Sequence, residues 1–284
     1  MSRTRRQFLT FLLVLGATFV VEAAEPDRVS VRSGELELTA LLWLPQGRGP
    51  FPAVLFNHGS GHATGVDAAG RPDHRHPELL APVFTKHGYA FFYVYRRGDG
   101  LSRGKGVPSG DQIDGALLAG GQEARNLTQL KLLENDELGD VSAGLGDLRR
   151  FPEIDAHRIA VIGHSFGGSL TLLLAEREST IRAVVLFSAA GYSFDQSPPL
   201  RRRLIEAVEK MAAPAFFLNA QNDFSLSAAK SLSAELARLG KPCLSKVYPP
   251  VGQTAYDGHD FVHLAISTWE PDVFAFLEEH TRPR

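Results

Sequence analysis

The stretch that decides the fold is Val161–Leu170, "VIGHSFGGSL". An apolar run leads into a serine, and an apolar run resumes after it. Glycines stand two before the serine, at Gly163, and two and three after it, at Gly167 and Gly168. A buried strand does not choose that pattern, and a surface turn is not flanked by such runs. The reading that fits is a strand, a very sharp turn and a helix. Side chains at the flanking positions would collide across so tight a turn. Gly168 would let the helix lie close to the sheet. Such a turn lifts the Ser165 hydroxyl above the sheet edge, beside the positive end of the helix dipole. The backbone N–H of Phe166 then faces the place where a negative oxygen could form.

Working outward, apolar runs alternate with helical patterns along almost the whole chain. "RVSVRSGELELTALLWLP" (28–45) reads as two strands about a Ser33–Gly34 turn. "AVLFNHG" (53–59), "YAFFYVY" (89–95), "HRIAVIG" (157–163), "IRAVVLFSA" (181–189), "APAFFLNA" (213–220) and "CLSKVYP" (243–249) read as further strands. The unbroken apolar character of "AVLFNHG" and "YAFFYVY" fits strands covered on both faces. Helices are expected over 77–88, ending at Gly88, over 122–151, from Ser165 to about Glu176, and over 200–211, 226–240 and 272–280. "RRGDGLSRGKGVPSG" (96–110) reads as an exposed polar loop. This order predicts an α/β fold with a mainly parallel central sheet and helices on both faces. No linker or internal repeat interrupts it, so residues 24–284 read as one domain.

The first residues read differently. "MSRTRRQFLTFLLVLGATFVVEAAEPD" carries Arg3, Arg5 and Arg6, then an apolar run from Phe8 to Val21 too short to span a bilayer. It fits a secretory signal peptide over residues 1–23, cleaved after Ala23. "TRRQFLT" resembles a twin-arginine export motif. The expected destination is the bacterial periplasm or the exterior, with no stable membrane insertion once the signal is removed.

The 284-residue chain is 44% hydrophobic and 22% charged, with a formal net charge of -2. That balance is globular and gives no reason to expect a nucleic-acid partner. Its one cysteine, Cys243, makes no internal disulfide and reads as a buried apolar filler. His58 and His62 invite a metal reading, but no third ligand stands at metal spacing nearby, so neither metal nor cofactor is expected. Oligomeric state is not readable.

A serine hydroxyl is a poor nucleophile unless a base takes its proton and a carboxylate orients that base. Three histidines follow Ser165: His259, His263 and His280. His259, in the polar stretch "YDGHDF" (256–261), is the preferred base, with His263 behind it. His280 falls at a helix C-terminus, where a cation is favoured. For the acid, "FFLNAQNDFS" (216–225) places Asp223 just past a buried strand, and Asp195 is the runner-up. Asp257 and Asp260 stand too near His259 in the chain and read as solvated. A second N–H for the oxygen is expected in "FNHGSGH" (56–62), from Ser60 or, alternatively, Gly59, beside that of Phe166. The Arg201–Arg203 run reads as a solvated helix face rather than an anion contact.

Four segments, "LFNHGSG", "YRRGDGLSRG", "RIAVIGHSFGG" and "NAQND…GHDF", resemble the α/β-hydrolase superfamily. Within it the chain is similar to the dienelactone hydrolase family and its relatives near the prolyl-oligopeptidase-type peptidases. The resemblance implies an α/β-hydrolase fold, a Ser165–Asp223–His259 triad, and hydrolysis of small carboxylic esters or lactones through an acyl-enzyme. Dienelactone hydrolases proper carry cysteine where this chain has Ser165, and many relatives carry glycine at Ala220. A peptidase or amidase, an acyltransferase and a non-catalytic binding protein on the same fold are the alternatives.

Overall fold

The computed structural model describes residues 25–66, 70 and 76–283. The signal peptide expected over residues 1–23 lies outside them. The chain opens with strand β1 (Asp27–Ser33), β2 (Leu36–Trp43) and β3 (Phe51–Asn57). Helix α1 (Pro77–Lys86) and strand β4 (Ala90–Tyr95) follow, then α2 (Ser109–Glu134) and α3 (Asp136–Leu148). The central part runs β5 (Ile154–His164), α4 (Phe166–Arg177), β6 (Ala183–Phe187), α5 (Ser193–Gln196) and α6 (Pro198–Lys210). It closes with β7 (Ala215–Ala220), α7 (Ser227–Arg238), β8 (Cys243–Tyr248), α8 (Ala255–His259), α9 (Phe261–Leu264) and α10 (Ile266–His280).

Among the described residues, eight strands join one sheet in the order β1-β2-β4-β3-β5-β6-β7-β8. The β1–β2 hairpin and the β2–β4 pair are antiparallel, and the remaining pairs are parallel. Gly34, at φ +59°, makes the hairpin turn. Strand residues alternate between two cores. Leu55, Phe92, Val161 and Phe217 meet leucines of α3, α4, α6 and α7 on one face. Phe56, Phe91, Ile162 and Phe216 meet Phe84 of α1 and Trp269 and Phe276 of α10 on the other. Burial on both faces is why these strands are apolar without alternation. From β3 the sheet continues to β4 on one side and to β5 on the other. That reversal opens a crevice at the carboxyl ends of β3 and β5, the usual place for a site in such sheets.

Three expectations are corrected. The segment 122–151 is not one helix. Helix α2 begins at Ser109, breaks where Gly121 takes φ +68°, and is followed by the separate helix α3. The loop 96–110 is not simply exposed, since Arg96, Asp99 and Ser102 are fully buried. Ser102 Oγ donates to Tyr95 O and accepts from Thr39 N, which pins the loop to β2 and β4. Cys243 is only half-buried, because β8 is the edge strand and helices cover it incompletely. Among the described residues no helix is long and apolar enough to cross a membrane.

Candidate active site

Ser165 sits between β5 and α4 at φ 55°, ψ -118°, a conformation that L-residues rarely adopt. Its neighbours explain how the chain holds it there. Ser165 N donates to Phe187 O at 3.0 Å, and Ser165 O accepts from Gly168 N and Ala190 N, each at 3.0 Å. A Cβ on Gly167 would stand 2.0 Å from Asn57 O, and one on Gly163 would stand 2.3 Å from Gly167 O. A Cβ on Gly168 would reach Ala189 Cβ at 2.7 Å. The three glycines are therefore fixed by close backbone approach between strand, turn and helix.

His259 closes α8, rather than lying in an irregular loop, and its Nε2 is 2.9 Å from Ser165 Oγ. Its Nδ1 is 2.7 Å from Asp223 Oδ1. An ionised carboxylate only accepts, so Nδ1 carries the proton and Nε2 presents its lone pair to the serine. Asp223 follows β7 and is held by Phe224 N at 2.6 Å and by Asn219 Nδ2 at 2.7 Å. Burial alone would raise its pKa, but hydrogen bonding and charge from His259 outweigh it and hold the carboxyl below its usual range. The Phe224 ring stacks on His259 at 4.4 Å, and Gly191 leaves no room for a side chain against its Cε1.

The expected alternatives lie elsewhere. Asp195 is exposed and accepts from Ser225 Oγ. His263 Nδ1 is 2.7 Å from Asp260 Oδ1, which occupies it away from the serine. Asp260, which directly precedes α9, is buried, against the expectation of a solvated residue. Asp257 is also not merely solvated: it caps α8, accepting from Thr254 N at 2.9 Å while Thr254 Oγ1 accepts from Asp257 N. Arg201 donates to Phe194 O and Asp195 O, and Arg203 pairs with Glu134 and Glu176, so both are occupied by their own surroundings, while Arg202 is exposed.

Phe166 begins α4, where its N–H has no partner within the helix. The turn after β3 lies beside it. A Cβ on Gly59 would come 3.7 Å from Ser165 Cβ, while Ser60 is exposed at the mouth of the crevice. That turn rests on Arg96, which the sequence marked only as part of the "YRRGDGLSRG" segment, and on Glu137, which it did not single out. Arg96, at the end of β4, donates to His58 O at 2.9 Å and Gly59 O at 2.7 Å, and pairs through Nε with Glu137 of α3. Burial pushes Glu137 up to about 7, against the pull of Arg96. Arg97 makes a fork onto Asp140, one turn further along α3. The sequence signals were the resemblance of "YRRGDGLSRG" and the pair of arginines directly after an apolar strand; nothing in the sequence pointed to their partners on α3. His62 is 3.3 Å from Asp114, and among the described residues no three His, Cys, Asp or Glu side chains converge as metal ligands would.

The fold has close structural likenesses. An acylaminoacyl peptidase from Pyrococcus horikoshii superposes with a TM-score of 0.66 at 17% identity, over 93% of this chain and 43% of that one. The chain thus spans less than half the length of that peptidase. An esterase from Pyrococcus furiosus superposes at 0.63 and 16% identity, over 91% and 92% of the two chains. A dienelactone hydrolase from Anabaena variabilis gives 0.60 at 17% identity, over 91% and 100%. At these identities the likeness establishes the α/β-hydrolase fold. No curated protein matches the sequence. The family model of the dienelactone hydrolases matches residues 76–257, a stretch that holds the serine elbow and Asp223 and stops two residues short of His259. Since that match takes in well over half of the chain, the protein belongs to the dienelactone hydrolase family.

Proposed function

We propose that this hydrolase cleaves small carboxylic esters or lactones through an acyl-enzyme on Ser165, with His259 as base and Asp223 as its orienting acid. The observation that carries the reading is the continuous relay from Asp223 Oδ1 to His259 Nδ1, 2.7 Å, and from His259 Nε2 to Ser165 Oγ, 2.9 Å. In the first step Ser165 Oγ attacks the carbonyl carbon and its proton passes to His259 Nε2. Asp223 stays ionised and stabilises the imidazolium. The carbonyl oxygen, now negative, takes hydrogen bonds from the N–H of Phe166 and from that of Ser60 or Gly59. Collapse breaks the bond to the leaving alkoxide, which takes the proton back from His259. Water then enters: its oxygen attacks the acyl carbon as its proton passes to His259 Nε2, the bond to Ser165 Oγ breaks, Oγ takes that proton from His259, and the acid leaves. In a lactone the first step opens the ring and leaves the alcohol tethered to the acyl group, and the second step releases the hydroxy acid.

The reading also takes the chain to act after export, with residues 1–23 removed. Its test is steady-state and burst kinetics on p-nitrophenyl esters and on simple lactones. An initial burst of one nitrophenolate per enzyme, absent in Ser165→Ala, supports it. Turnover of every ester unchanged in Ser165→Ala would remove the acyl-enzyme from the account.

A further inference from the structure

Arg96 is fully buried, and its guanidinium faces three groups at once. Nη1 reaches His58 O and Nη2 reaches Gly59 O, while Nε is paired with Glu137, itself fully buried. The two carbonyls matter because each shares a peptide unit with an amide at the site. A trans peptide is planar, so the N–H points opposite to the C=O of the same unit. The His58 carbonyl therefore fixes the N–H of Gly59, and the Gly59 carbonyl fixes the N–H of Ser60. These are the two candidates for the second oxyanion donor, and one guanidinium sets the direction of both. The turn needs such a hold, because glycine at 59 rotates readily and a flipped peptide there would turn its N–H out of the crevice. His58 adds a second hold on the Gly59 carbonyl. Its Nε2 accepts from Arg96 N at 3.3 Å, so its Nδ1 carries the proton that is donated to Gly59 O at 2.8 Å. The Arg96 guanidinium also lies 5.6 Å from the centre of the Phe166 ring, whose residue supplies the first donor.

We propose that Arg96, anchored by Glu137, is a positioning residue for catalysis. It aims the Gly59 and Ser60 amides at the substrate oxyanion by holding the two carbonyls that oppose them. The inference rests on the serine-hydrolase reading of the site and adds to it a fixed polarity of the turn after β3. Arg96 touches neither substrate nor Ser165 in this scheme, so its effect falls on the transition state rather than on substrate binding. Lysine cannot replace it: an ammonium is a point donor and lacks the planar fork that spans both carbonyls and the carboxylate.

The experiment uses the full-length chain, with Arg96→Lys as the main variant. Glu137→Asp, which keeps the ion pair but shortens the anchor by one methylene, carries the test should the lysine variant fold poorly. Folding is read from circular dichroism and the thermal midpoint. Three quantities are compared with wild type: kcat and KM on a p-nitrophenyl ester, and affinity for an aryl trifluoromethyl ketone, which forms an oxyanion on the serine. The proposal expects kcat to fall by about 10²-fold, near what loss of one oxyanion donor costs, with KM little changed. Affinity for the ketone should fall by the same factor as kcat. A folded variant with wild-type kcat, or one whose loss lies in KM alone with ketone affinity intact, would overturn it. Failure of the underlying reading looks different: wild type itself would then form no ketone adduct, and Ser165→Ala would match it.

Discussion

His164 Nε2 donates to the backbone carbonyl of His259 at 2.9 Å, tying the residue before the serine to the residue proposed as its base. His164 is buried, and its ring centre lies 5.1 Å from that of His259. Burial, with His259 close by, pushes its pKa down to about 3, so it is neutral in the folded protein at any ordinary pH.

That relationship predicts acid sensitivity. An unfolded histidine titrates near 6.5, so between about pH 6.5 and 3 the unfolded chain binds more protons here than the folded one. Stability from this group is complete above about pH 6.5 and is lost as the pH falls toward 3. Asp223, depressed in the fold, adds a loss that begins lower, as the pH falls through the ordinary carboxylate range and the unfolded chain takes up the proton first. His164→Gln can still donate an N–H to the His259 carbonyl but does not titrate. Its thermal midpoint should therefore fall less steeply than that of wild type between pH 6.5 and 4.5. Parallel slopes would exclude His164 as the source.

The two carboxylates weighed for the relay should separate by activity. Asp223→Asn leaves the packing but presents an amide to His259, favouring the wrong tautomer, and kcat should drop by roughly 10⁴-fold. Asp195→Asn, an exposed residue bonded to Ser225, should leave kcat near wild type. Measured kcat on one ester decides between them. The reverse order of effects would reassign the acid.

Glycines in the elbow and on the surface should respond in opposite directions to alanine. Gly167→Ala forces a methyl onto Asn57 O and His58 O, which are backbone atoms and cannot move aside cheaply. A loss of about 1–3 kcal/mol or more is expected in denaturant unfolding, with activity falling as the turn shifts. Gly115 lies within α2 with open space where a Cβ would stand. Gly115→Ala should stabilise by about 0.5–1 kcal/mol. Equal effects at the two positions would mean that the elbow is looser than its geometry implies.

How much of the molecule was legible in the sequence depends on how local each cause is. The elbow is encoded within six residues, Gly163 to Gly168, because a steric turn leaves its glycines adjacent. His259 and Asp223 could be singled out as candidates because each stands in a polar stretch that follows a predicted strand. The boundary between α2 and α3 was missed because only Asn135 separates them, and periodicity alone runs the two helices together. The Arg96–Glu137 pair was missed for a different reason. Its partners are 41 residues apart, and a buried ion pair looks in sequence like two ordinary surface charges. Asp260 was misjudged in the same way, since only the folded structure shows that it is covered.

The central claim is that Ser165 is an activated nucleophile. The most direct measurement is labelling of the folded protein with a fluorophosphonate, with the adduct located by peptide mass spectrometry. The account predicts one label per chain, on Ser165, absent in Ser165→Ala and strongly slowed in His259→Ala. A folded wild-type protein that takes no label, or takes it on another residue, would contradict it.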